Sequence, residues 1–70
     1  MGRTELMCYL KLHRLRRGMN QEDVAKKLYI SRSMYSRYES CKNKLPDEML
    51  HTLAELYGID YERLRKYRDA

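Results

Sequence analysis

Arg32, Ser33, Ser36 and Arg37 carry the side-chain chemistry of base recognition in this 70-residue chain. Residues at such spacing share one face of a helix. An arginine fork can bind guanine O6 and N7 together, and a serine hydroxyl can donate or accept at any base edge. Ser31, just ahead of them, is of the residue type that opens helices. Asn20 and Gln21 lie upstream, and Lys42 and Lys44 follow downstream.

A helix must hold those four side chains outward, and other elements must hold that helix. Asn20 predicts the cap of a helix from Gln21 to about Leu28, with Asp23 at the third position of a capping box. Its buried side is Val24, Ala25 and Leu28. Tyr29, Ile30 and Ser31 form a tight turn. The next helix runs from Arg32 to about Ser40, with Met34, Tyr35 and Tyr38 turned inward. Two helices joined this closely need a small side chain at their crossing, and Ala25 supplies it. Such a pair is the layout of a helix-turn-helix, whose second helix lies in the DNA major groove.

Three further helices are expected around this pair. The first runs from about Thr4, as cap, to Arg17, stopped by Gly18. Its faces are Leu6, Leu10 and either His13 or Arg14 on one side, and Cys8, Leu12 and Leu15 on another. The fourth starts at Pro46, after a polar, basic loop from Cys41 to Leu45, and ends at Tyr57 before Gly58. Its inner stripe is Met49, Leu50, Leu53, Ala54 and Leu56. Asp60 caps a fifth helix that carries Tyr61, Leu64 and Tyr67. The fold class is therefore all-α: one compact five-helix domain over residues 1–70. No second domain fits in so short a chain, whose core is small.

The net charge is +5, and its distribution is uneven. From Lys11 to Lys44 ten basic residues face three acids; from Leu45 onward four face six. A polyanion partner accounts for the excess, as do solvated helix faces. Two cysteines make no disulfide framework, and Cys8 reads as a small core residue and Cys41 as a loop-edge thiol. Nothing resembles a signal peptide or a membrane span, so a reduced, cytoplasmic setting is expected.

Other chemistries fit less well. Cys8, His13, Cys41 and His51 lack the tight pairs of a zinc site. No phosphate-binding loop or nucleophile–base constellation is present, so neither an enzyme nor a cofactor is expected. Tyrosines interleaved with basic residues suggest stacking of single-stranded nucleic acid, but their helical spacing favours a core role. The basic residues of the fifth helix (Arg63, Arg65, Lys66, Arg68) read as solvated.

Taken jointly, Gln21, Ala25, Ile30-Ser31, Tyr38-Glu39, Leu45-Pro46, Leu50, Leu53-Ala54 and Tyr57-Gly58-Ile59-Asp60-Tyr61 resemble the Cro/repressor-type (Xre) helix-turn-helix family, over roughly Leu10 to Leu64. The resemblance implies a lambda-repressor-like DNA-binding domain. It implies that Arg32, Ser33 and Arg37, with Ser36, read bases, and that Asn20, Gln21, Ser31, Lys42 and Lys44 hold phosphates. It also implies an ion pair between Arg14 and Glu39. A small transcriptional regulator on double-stranded DNA follows, as a homodimer with Leu12, Leu15 and the Tyr61–Tyr67 face as candidate contacts. The alternatives are an antitoxin or adaptor with a protein partner, and a nonspecific nucleoid or RNA binder. The chain departs from the family pattern at Tyr29, where Gly or Asn is usual, at Cys41, where Gly is common, and at His13, where Leu is usual. If the backbone has positive φ at Tyr29 or Cys41, each costs on the order of 1 kcal/mol.

Overall fold

The computed structural model describes residues 2–69, and among them the only regular elements are five helices: α1 (Gly2–Arg16), α2 (Gln21–Lys27), α3 (Arg32–Glu39), α4 (Asp47–Tyr57) and α5 (Tyr61–Asp69). α1 packs on α5, α3 and α4, while α2 packs chiefly on α3. One core collects Leu6, Met7 and Leu10 of α1, Val24 and Ala25 of α2, Tyr35 and Tyr38 of α3, Leu50, Leu53, Ala54 and Tyr57 of α4, and Leu64 of α5. With no Phe or Trp in the chain, tyrosines fill the volume that those residues usually take.

Four of the helices end in the same way. Past α1, α2, α3 and α4 the chain turns through one left-handed residue: Gly18, Tyr29, Cys41 and Gly58, with φ of 66°, 58°, 65° and 65°. In each case the next amide reaches back to close the last turn. Met19 donates to the Arg14 carbonyl, Ile30 to Ala25, Lys42 to Arg37 and Ile59 to Ala54, at 2.9–3.1 Å. This is the Schellman closure, and glycine suits it because it has no Cβ. Tyr29 and Cys41 therefore bear the left-handed penalty expected of them. Their positions are set by the closure itself, which must turn the chain within a few residues.

Several expectations change. α1 begins at Gly2, so Thr4 lies inside the helix and does not cap it. The inner face of α1 is Leu6, Met7, Leu10 and Arg14. Cys8 is exposed rather than a core residue, because it lies on the opposite side of the helix from Leu6 and Leu10. Met49 and Leu56 are only half-buried, whereas Tyr57 and Leu45 are core residues. His13 stays at the edge, stacked on Tyr57 and edge-on to Tyr9.

Aromatic and charged contacts tie α5 down. Tyr67 stacks on Tyr9 of α1. The Tyr61 hydroxyl donates to Asp47, Arg68 pairs with the same carboxylate at 2.8 Å, and Tyr61 stacks on His51. Hydrogen bonds from Tyr61 and Arg68 hold the Asp47 carboxyl below its ordinary range. Arg17 donates to the Tyr57 carbonyl at 2.8 Å, supplying a cation to the end of α4, where the helix dipole favours one. The Tyr61–Tyr67 face thus makes contacts within the chain and is half-buried, whereas Leu12 and Leu15 remain 44% and 54% exposed.

Candidate nucleic-acid interface

α3 is positioned by its two ends and its inner side. At the start, the Ser31 hydroxyl oxygen accepts from the Met34 amide at 3.1 Å. At the end, the Arg37 carbonyl accepts from the amides of both Lys42 and Asn43. Asn43 also reaches the Met34 sulfur at 3.6 Å, and Leu45 sinks into the core. The loop carrying Lys42 and Lys44 is therefore tied to α3. Along the inner side, Tyr35 and Tyr38 are buried, which leaves Arg32, Ser33 and Arg37 outside the core and Ser36 at its exposed edge, on the outer side of the helix.

The outer side forms an open cleft of about 560 Å³ lined by Gln21, Arg32, Ser33, Ser36, Arg37 and Lys42. All four candidate base readers meet there, with two of the candidate phosphate contacts. Neither arginine is paired with an acid among the described residues, so both forks are available. Asn20, Ser31 and Lys44 do not line the cleft. The Asn20 side-chain oxygen accepts from the Asp23 amide at 2.8 Å, and Asp23 accepts from the Asn20 amide at 2.9 Å. That reciprocal cap occupies the Asn20 oxygen and one Asp23 carboxylate oxygen. Ser31 spends its oxygen on its own cap, leaving its hydroxyl proton to donate. Lys44 is exposed in the loop. A second depression of about 540 Å³ lies beside the α2–α3 turn, lined by Met19, Asp23, Lys26, Lys27 and Tyr29.

A buried charge pair braces the cleft from behind. Arg14 Nε and Nη2 donate to the two Glu39 oxygens at 3.0 and 2.9 Å, and Nη1 donates to the Met19 carbonyl at 2.8 Å. The two side chains are only 7% and 5% exposed. This fork ties α1 to the end of α3 and to the loop that leads into α2. Gln21 Nε2 adds a third donor to Glu39 at 3.2 Å. Burial works to raise the Glu39 carboxyl, but the hydrogen bonds it accepts, that from Arg14 foremost, outweigh it, so Glu39 titrates below the ordinary glutamate range. The Arg14 guanidinium is raised by its hydrogen bonds to Glu39, against the effect of burial. Tyr35 and Tyr57 bury their hydroxyls in the same region. Burial pushes both phenols up, that of Tyr57 to about 12.

A helix-turn-helix family model matches residues 10–64, which include the capped pair α2–α3, the brace and α4. This chain belongs to the Cro/C1-type helix-turn-helix family. The family is one of DNA-binding regulators and is not typically enzymatic. No curated protein and no solved structure matches the chain. No described helix is long and apolar enough to cross a membrane.

One residue at this helix-turn-helix surface was missed by spacing alone. Lys11 lines a small hollow beside the cleft with Gln21, Ser36, Glu39 and Ser40. The available signal was its position one helical turn before Arg14, which turns both toward the same side of α1.

Proposed function

We propose that this protein is a sequence-specific regulator of transcription that lays α3 in the major groove of double-stranded DNA. The supporting observation is the single cleft in which Arg32, Ser33, Ser36 and Arg37 converge with Gln21 and Lys42. Two free guanidinium forks and two hydroxyls on one helix face match the hydrogen-bonding edges of bases. Gln21 and Lys42 flank them as phosphate contacts, with Asn20, Ser31 and Lys44 at the periphery. Phosphate contacts fix orientation, and base contacts specify sequence.

The mechanism is occupancy of an operator, most simply as a repressor. One short helix covers few base pairs, so a homodimer on half-sites about 34 Å apart supplies the remaining specificity. Leu12 and Leu15 are the exposed apolar residues of α1 available for a partner contact. The basic region around α3 steers the protein to a polyanion, within the cytoplasm or nucleoid.

Selection of bound duplexes from a random pool tests this reading. Selected duplexes should bind at least about a thousandfold more tightly than random ones at physiological salt. Arg37→Ala should cost about 1–3 kcal/mol and relax the preference at one base position. Selected duplexes that bind no better than random ones would overturn specific regulation, and a base preference unchanged by Arg37→Ala would remove that residue from the reading set.

A further inference from the structure

We propose that Lys11 supplies a DNA phosphate contact from the first helix, so that the duplex backbone is gripped by α1 as well as by the helix-turn-helix. The proposal rests on the reading that α3 enters the groove. It starts from a hollow of about 130 Å³ lined by Lys11, Gln21, Ser36, Glu39 and Ser40. Gln21 and Ser36 also line the 560 Å³ cleft, so the hollow is continuous with the reading surface and Lys11 stands at its α1 wall.

The charge balance of the hollow favours an anion. Glu39 contributes a carboxylate, but Arg14 neutralises it through two hydrogen bonds, and Gln21 adds a third. All three Arg14 nitrogens are engaged, since the remaining terminal nitrogen binds the Met19 carbonyl, and the charge is balanced by Glu39. The unspent charge at this edge is therefore the Lys11 ammonium, on an exposed residue with no ion pair among the described residues.

Donors surround the same space. Gln21 directs one amide N–H at Glu39 and keeps a second. An amide oxygen facing a carboxylate would be repelled, so this orientation follows from Glu39 itself. Ser36 offers a hydroxyl, while the Ser40 hydroxyl is already donated to the Arg37 carbonyl at 3.3 Å. A lysine on a flexible stem acts as a point charge and lacks the planar fork that reads a base edge. Beside a helix lying in the major groove, the nearest anions are the phosphates that border that groove.

The test is the salt dependence of binding to a selected duplex and to a random one. Each phosphate neutralised on B-DNA contributes about 0.9 to the slope of log affinity against log salt. Lys11→Ala should weaken both duplexes alike and lower the slope by about that amount. The wild-type advantage then shrinks about 3.5-fold between 50 and 200 mM salt. Lys11→Arg should keep the wild-type slope. Lys66→Ala, on exposed α5 outside both depressions, should leave it nearly unchanged, with melting temperatures confirming that all variants fold.

A wild-type slope in Lys11→Ala, or an equal loss in Lys66→Ala, overturns the local contact in favour of general charge. A loss confined to the selected duplex assigns Lys11 to base reading and also overturns it. Wild type without sequence preference sinks the specific-regulator reading while the slope still judges Lys11. Wild type that binds no duplex sinks both.

Discussion

Glu39→Gln removes one charge from the buried pair while nearly preserving shape. The substituted amide would retain one oxygen for the Arg14 fork, but its NH2 group would replace the other acceptor. One charge-assisted hydrogen bond of about 3 Å is lost, and a guanidinium 7% exposed is left without its counter-charge. Removing one partner of a buried pair costs about 3–5 kcal/mol. The surviving bond to the Met19 carbonyl places this case near the lower end, about 3 kcal/mol. A 70-residue domain has only about 4–10 kcal/mol of total stability, and its melting temperature should drop by about 12 °C or more. Urea denaturation and thermal melts measure both quantities. The double variant Arg14→Met with Glu39→Leu, which removes both charges, should recover much of the loss. Acid titration gives an independent reading. The Glu39 carboxyl is depressed below its ordinary value of 4.5, so its contribution is complete above that pH and is lost as pH falls through the folded value. The variant should lack this part of the acid limb. A cost under about 1 kcal/mol, or single-variant losses that simply add in a double-mutant cycle, would refute the brace as described.

Two further outcomes follow from the helix ends and the α1 edge. Tyr29 is 95% exposed at φ 58°, so its removal forfeits little burial. Tyr29→Gly should stabilise the domain by a few tenths of a kcal/mol to about 1 kcal/mol, as relief of the left-handed strain outweighs glycine's entropy in the unfolded chain. A measured loss of stability in urea would show that Tyr29 makes a contact the fold needs. His13 is lowered below its ordinary value of 6.5, first by burial and then by Arg17, Arg16 and Arg63. The unfolded chain then binds the proton more readily, so stability should fall as pH drops from about 6.5 through the folded value and level off below it. His13→Leu should remove that segment of the pH–stability curve, and a His13 ring resonance titrating above about 6.5 by NMR would contradict the lowering.

How much of this was legible in the sequence depended on the range of the interaction. Asn20 and Ser31 as caps, Gly18 and Gly58 as stops, and Val24, Ala25, Leu50, Leu53 and Leu64 as core residues follow from helical period and capping chemistry. Both act within a few residues. The outward set Arg32, Ser33, Ser36 and Arg37 follows too, because Tyr35 and Tyr38 fix which side of α3 turns inward. Tyr29 and Cys41 were recognisable as departures from a glycine pattern, and the positive φ at each is the backbone's answer.

Tertiary packing decided the rest. Period alone left His13 and Arg14 as alternatives on one face of α1; Glu39, 25 residues away, settles the choice, because its carboxylate takes both bonds of the Arg14 fork while His13 stacks on Tyr57 at the edge. The same long-range pairing orients Gln21. Cys8, Leu12 and Leu15 form as regular a stripe as Leu6 and Leu10, and only the positions of α3, α4 and α5 around α1 determine which stripe is covered. The Tyr61–Tyr67 face looks open until Tyr9, His51 and Asp47 are brought against it. Local spacing thus determined the helices and the face that α3 presents. The meeting of distant charges and aromatic rings, which no local period encodes, decided which residues stand behind that face and which remain free at its edge.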